Sequence, residues 1–568
     1  FIDNQGDLWI GTERGGLNRL ISASGRFERY QNDPEEPASL VSNQVFDILQ
    51  DSSGVLWVAT REGISLLQPG HSQFSHLRKD RNDPASLNNN VVTTLFQDRG
   101  GVMWVGTFGG GVNRYAPYAN KFQRYIQRPG DLSGLSDSTV FAISQTPEGT
   151  LWIGTLSGGL NRLERESGRM RYYYHLAAQL QSISSNDIRA LFSDHNGTLW
   201  IGTANAGIDQ FDPLTNSFLH LQIDPQNPNL STQYAITTFF EDSDRQLWVG
   251  TRGYGFHRFE PESRTFVHYT LPSENNSAQL VRAIREDEDG NFWIATYDGV
   301  FVFDPHCEQF LEHYRAEGSQ SNSLSSSTIL SIYIQDQDTV WFGTWSGGLN
   351  RLDRRTGIFT VFTEKDGLAN DTVYAILPDS EGSLWLSTNR GLSRFQPASG
   401  RFRNYDVSDG LTSNEFNAGA AYVSPQGEFY LGSVNGLISF FPSQVQDNPI
   451  PPPVIIRSFS LYNQVERKNL PDGGSISLSY RDTFIGFEFA ALDFTAPHKN
   501  QFAYKLEGFD SDWNYLGNRN FVTFTNLRGG DYTLRVKAAN NDGVWNEEGI
   551  AVHLQVTPPF YTRSWFIL

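Results

Sequence analysis

The stretch Leu151–Leu163, LWIGTLSGGLNRL, returns in recognisable form ten times along a chain of 568 residues, and this recurrence limits the fold more than any other property. Its tryptophan falls at Trp9, Trp57, Trp104, Trp152, Trp200, Trp248, Trp293, Trp341 and Trp385, with Tyr430 in the tenth copy, a spacing of 44 to 48 residues. Four strands of roughly 5–6 residues with their turns occupy about 40–50 residues, the length of a propeller blade. Composition argues against helix pairs of the same length. The copies are rich in Val, Ile, Thr, Phe and Trp and are cut every few residues by Gly, Asn, Asp or Pro, as strands and hairpins require.

The fourth copy shows the unit. Val140–Ser144 is a short apolar run without strict alternation, expected of an innermost strand buried on both faces. Pro147-Glu148-Gly149 supplies a turn, Leu151–Thr155 a second strand, Ser157-Gly158-Gly159 a turn, and Leu160–Leu163 a third strand; Ser167-Gly168 turns into the outer one. Two residues beyond each tryptophan the side chain is always small: Gly11, Ala59, Gly106, Gly154, Gly202, Gly250, Ala295, Gly343, Ser387 and Gly432. Glycine is disfavoured inside a strand, so its return here predicts close approach of a neighbouring backbone, as between blades packed face to face around an axis. The adjacent tryptophan then fills the space between blades.

Ten blades exceed the roughly four to eight that close a ring. Ala116-Pro117-Tyr118-Ala119-Asn120 breaks the outer-turn pattern, which divides the copies into three and seven. The expected domains are therefore 1–116, the last three blades of a first propeller whose remaining blades would lie upstream; 117–447, a complete seven-bladed propeller; and 448–557, a β-sandwich. Asn448–Pro453, NPIPPP, reads as a stiff linker before the sandwich, whose alternating runs include 484–492, 502–509 and 531–540. At 558–568, Arg563-Ser564-Trp565-Phe566-Ile567-Leu568 reads as the interfacial start of a transmembrane segment. The fold class is all-β: propellers, one complete and one partial, then an immunoglobulin-like sandwich.

Net charge is −19, which argues against nucleic acid as a partner and favours neutral or cationic ligands. The single cysteine, Cys307, excludes an intramolecular disulfide framework, and the eleven histidines are scattered without metal-ligand spacing. Glu286–Asn291 has a calcium-loop look but occupies a hairpin turn and lacks the distal bidentate glutamate. Neither a G-x-x-x-x-G-K loop nor a G-x-S-x-G elbow occurs. No catalytic residue, metal or cofactor is expected.

The D-x-x-G-x-L-W-I-G-T-x-x-G-G-L-N-R copies resemble the two-component regulator propeller repeats of extracytoplasmic sensors in bacterial hybrid histidine kinases. Residues 487–517 and 526–549 resemble the triple-tyrosine domain that follows those repeats. The resemblance implies two seven-bladed propellers, a sandwich, a membrane helix and a cytoplasmic output module, a kinase or a diguanylate cyclase. It also implies a role in sensing oligosaccharides at the periplasmic face of the inner membrane, as a membrane-anchored homodimer paired through sandwich and membrane segment. This segment itself would bind and not catalyse. Alternatives are the sensor of a diguanylate cyclase, a propeller lyase, or an adhesion scaffold.

Strand order places the ligand. In each blade the turn between second and third strands opens on the face where the innermost strand begins. In the complete ring these turns carry Asn205, Arg252, Tyr254, Tyr297, Asp298, Trp345, Asn389 and Arg390. Aromatic faces stack on a pyranose while amides, carboxylates and guanidinium groups satisfy its hydroxyls, so this rim is the expected ligand site.

Overall fold

Each copy folds because apolar runs of five or six residues alternate with turns that favour Gly, Asn or Asp. In a computed structural model that describes residues 1–559 apart from 82–84, 129, 131–132, 165–167, 225, 228, 318–321 and the side chains of 231–232, the strands Val140–Gln145, Leu151–Thr155, Leu160–Glu164 and Arg169–Tyr173 pair antiparallel in chain order. Among the described residues, Lys121–Val445 forms one unit of seven such four-stranded sheets, a complete propeller. The seventh is composite: Phe416–Val423, Phe429–Ser433 and Gly436–Phe440 take their outer strand from Gln123–Tyr125, with Tyr125 opposite Leu437. One blade thus joins both ends of the unit.

Hydrogen bonds explain the motif letter by letter. Six residues before the tryptophan, Asp194 Oδ2 accepts the Trp200 indole N–H at 3.0 Å, while Oδ1 accepts the turn amides of Asn196 and Thr198 at 3.0 and 2.9 Å. The same clamp recurs at Asp3, Asp51, Asp98, Asp242, Asp287 and Asp379, with Gln335 serving Trp341. The fourth copy breaks the series: Thr146 stands in the acidic position, and the buried Trp152 Nε1 has no partner.

The small residues do mark blade contacts, but the neighbour is mostly a side chain, where a backbone was expected. A Cβ on Gly154 would lie 2.5 Å from Ile188 Cγ2, at the start of the next blade's inner strand; Gly202 meets Ile236 at 2.5 Å and Gly432 meets Val140 at 2.7 Å, closing the ring. At Gly343 the Val373 carbonyl oxygen also stands 2.7 Å away. β-Branched residues open every inner strand of the ring except the seventh, which opens on Phe416, and their methyl groups need the volume a Cβ would take. The tryptophans fill the remaining gap edge-on to an aromatic of the next third strand: Trp152 to Phe211 at 4.9 Å and Trp200 to Phe259 at 5.0 Å.

The second unit comprises Phe1–Asn120 and Gln446–Leu568. Its three N-terminal sheets repeat the blade, the middle one four-stranded and its two neighbours three-stranded. The sandwich has a four-stranded sheet built on Val454–Leu461 and Phe484–Ala491, and a five-stranded sheet in which Gly474–Ser479 pairs parallel with Trp545–Thr557. Ile456, Phe487, Phe489, Leu534 and Val552 lie in its core. The proline segment is not a free spacer. Asn540 donates to the Asn448 and Ile450 carbonyls at 2.8 and 2.9 Å, Asn546 to Pro452 at 2.9 Å, and Asn448 is fully buried, so polar side chains bind the segment along the sandwich. The third blade packs on the same domain through Trp104 and Phe494, ring centroids 5.7 Å apart. The membrane start expected at 558–568 lies, from residue 560, outside the described residues. No helix among the described residues is long and apolar enough to cross a membrane.

Candidate functional site

The channel of the complete ring is lined by residues that strict strand alternation would not have selected. In six of the seven inner strands the register slips between first and third residues, as between Ile188 and Ala190, Val281 and Ala283, and Val373 and Ala375, while the seventh slips between Phe416 and Ala421. A bulge re-aims the residue inside it. Arg189, Arg282 and Tyr374 occupy those slips and all three line the channel, where two cavities of about 530 and 500 Å³ lie. Charged residues inside otherwise apolar runs, IRALFS and VRAIRE, were the sequence signal for them.

The larger cavity opens where the inner strands begin. Turn amides tie this rim to the strand starts: Ala204 N donates to Asp187 O at 3.0 Å, Arg252 N to Ala235 O at 2.8 Å and Trp345 N to Thr328 O at 2.9 Å. Arg252 lines the cavity with Arg189 and Arg282. Tyr374 joins further rim residues: its hydroxyl donates to Asn389 Oδ1 at 2.7 Å, and the Trp345 ring lies edge-on at 6.5 Å. Trp345 is 49% exposed. Tyr297 packs against the same apolar cluster as Tyr374.

The remaining rim residues have local partners. Asp298 is buried and accepts from Ser273 Oγ at 2.7 Å and Asn275 Nδ2 at 3.1 Å, which makes it a brace for its loop. Tyr254 is stacked between Tyr234 at 5.5 Å and His268 at 4.0 Å. Asn205 accepts from Ser185 Oγ at 2.9 Å, and Arg390 faces Glu364 at 3.5 Å.

Electrostatics follow from enclosure. Solvent touches Arg282 and Arg285 within the channel, yet protein surrounds both, and desolvation lowers the pKa of each; for Arg282 the neighbouring Arg252 and Arg189 push the same way. Burial, then Glu415, raise the Tyr374 hydroxyl. Among the described residues no group of three or more His, Cys, Asp or Glu could hold a metal ion.

Family comparison adds to this geometry. The two component regulator propeller model matches residues 39–62, 86–109, 134–157, 182–205, 229–253, 277–298 and 367–390, and the Y_Y_Y domain model matches 493–557. The chain carries two component regulator propeller repeats and a Y_Y_Y domain. Each matched repeat runs from the lead-in of an inner strand to the turn after the second strand, and in the complete ring that stretch builds the channel mouth. The chain superposes on the extracellular domain of the hybrid two component system BT3049 from B. thetaiotaomicron with a TM-score of 0.78 at 28% identity, covering 98% of this chain and 72% of that one. It is also 26% identical over 343 residues to histidine kinase P4 of Formosa agariphila, spanning 50% of this chain and 24% of the kinase. The chain thus spans about a quarter of the length of that curated relative.

Proposed function

We propose that this chain is the ligand-sensing region of a hybrid two-component receptor of the histidine kinase type, placed on the periplasmic side of the inner membrane. The observation that carries the proposal is the likeness, over 98% of the chain, to the extracellular domain of such a system. The ring takes an oligosaccharide or similar small nutrient at the channel mouth, where Arg252 lines the cavity and Tyr297, Trp345 and Asn389 neighbour Tyr374. Exposed aromatic faces beside guanidinium and amide groups suit a sugar's mixed surface. Binding occurs without turnover. The sandwich, with its bound proline segment, relays the change to a membrane segment, and the receptor works as a homodimer.

Calorimetry against a panel of oligosaccharides, with product analysis of the same mixtures, tests this. A ligand should raise the melting temperature and be recovered unaltered. Trp345→Ala should weaken binding by roughly 0.5–1.5 kcal/mol beyond the lost contact area and leave the fold intact, because the side chain stands outside the blade core. Affinity unchanged in Trp345→Ala, Tyr254→Ala and Arg252→Ala alike would move the site off this rim. Release of a cleaved product would replace the sensor with an enzyme.

A further inference from the structure

The channel mouth concentrates positive charge in a chain whose net charge is −19. Three guanidinium groups, from Arg189, Arg252 and Arg282, line one cavity of about 530 Å³, and no carboxylate lines it. Only Arg189 among them has an acidic partner: Asp187 holds it through contacts of 2.6 and 2.9 Å while its guanidinium covers the Phe141 ring at 4.1 Å. Arg282 has no hydrogen bond or ion pair among the described residues, and its Nε is buried without any partner. The Arg252 guanidinium likewise has none, and Arg252 repels Arg282. Glu415 acts on Tyr374.

Leaving a buried donor unsatisfied, and two cations facing each other, costs stability that the free protein recovers nowhere in the ring. An oxyanion would satisfy both, since a guanidinium presents paired N–H donors matched to two oxygens of a carboxylate or sulfate. Phe141, Tyr234 and Leu280 line the same cavity and give an apolar surface for the carbon skeleton bearing that group.

We infer that the channel mouth of the complete ring takes an oxyanion carried on a sugar, a carboxylate or a sulfate ester, clamped by Arg282 and Arg252 with Arg189 beside them. The saccharide part rests on the sensor reading above; the oxyanion part rests on the arginines alone. The test uses the whole chain at constant ionic strength with four probes: sodium sulfate, a trimer of galacturonic acid, a sulfated disaccharide and neutral galactotriose. Sulfate should raise the melting temperature. An acidic saccharide should bind at least about 10-fold more tightly than the neutral trimer, the factor expected of a charge-assisted hydrogen bond. Whichever acidic saccharide binds more tightly identifies the source of the group.

Arg282→Met should abolish both effects and also raise the melting temperature of the free protein, because it removes the unpaired cation. Arg252→Gln, exposed and safe for folding, should weaken acidic probes about 10-fold. Arg355→Gln, on an exposed turn beside Asp338, controls for net charge and should change nothing. Neutral and acidic trimers binding equally in all variants would overturn the oxyanion clamp and leave the sensor reading standing. A sulfate effect that persists in Arg282→Met and Arg252→Gln would overturn it too. If sulfate acts through both arginines and no saccharide binds, the clamp stands and the saccharide reading falls.

Discussion

The third N-terminal blade and the first blade of the complete ring have nearly the same sequence, MWVGT against LWIGT, and different surroundings. In the ring, Gly154 faces Ile188 of the following blade and Trp152 is buried against Phe211. In the third blade, Gly106 faces Thr94 of its own inner strand, and the half-buried Trp104 meets Phe494 of the sandwich. The motif therefore encodes a blade with one open flank. Whatever comes next decides whether the glycine is a packing requirement or only an allowance.

The sharpest test is substitution at that glycine. Gly154→Val should destabilise the ring by roughly 1–3 kcal/mol, because Ile188 cannot retreat from a fully buried site. Gly106→Val should cost less, since Thr94 is exposed and can give way at the expense of one long hydrogen bond, 3.3 Å to Asp47. Equal shifts in chemical denaturation would mean that blade packing does not set the requirement.

A second contrast lies in the third strands. The N-terminal blades place Asn18, Ser65 and Asn113 where the ring's third blade places His257. Asn113 accepts the Asn88 amide at 3.0 Å, whereas neither ring nitrogen of buried His257 has a partner, and burial, then His268, lower its pKa to about 3. The unfolded chain takes up a proton near pH 6.5 while the folded His257 stays neutral, so its effect appears as lost stability as pH falls from 6.5 towards 3. Between pH 6.5 and 5 this amounts to roughly 1–2 kcal/mol. His220 works with opposite sign: its hydrogen bond to Asp209 raises its pKa, and that stability is present below pH 6.5 and lost as pH rises through the raised value. Denaturation of His257→Asn across this range should show the acid loss reduced; an unchanged profile would assign the loss to other groups.

The smallest expected effect is a gain. Every N-terminal blade clamps its tryptophan with an aspartate, Asp3, Asp51 or Asp98, and the ring's first blade has Thr146. Thr146→Asp should supply the missing acceptor for Trp152 and stabilise by about 1 kcal/mol. A lower melting temperature would show that the turn at 146–150 cannot take the aspartate geometry of the other blades.

Among the eight rim positions, sequence order alone put Arg252, Tyr297, Trp345 and Asn389 on the face where the inner strands begin, because the turn between second and third strands opens there; the Arg252 and Trp345 amides are bonded to Ala235 and Thr328 at those starts. It could not show that Asp298 is spent on Ser273 and Asn275, since those partners sit in an irregular lead-in with no repeat pattern. Nor could alternation reveal Arg189, Arg282 and Tyr374. A bulge has no letter of its own, and one inserted residue reverses which side chain faces the axis.

The sequence by itself determined the blade: its period, its strands, its tryptophan and the small residue beside it, all set by contacts within one copy or with the next. Tertiary structure decided what depends on distant chain segments meeting. The ring closes when Gln123–Tyr125 completes the seventh sheet and Gly432 meets Val140, contacts between its two ends that no local pattern specifies. Three guanidinium groups share one cavity for the same reason: their blades are separate in sequence and are brought round a single axis only when the ring is shut.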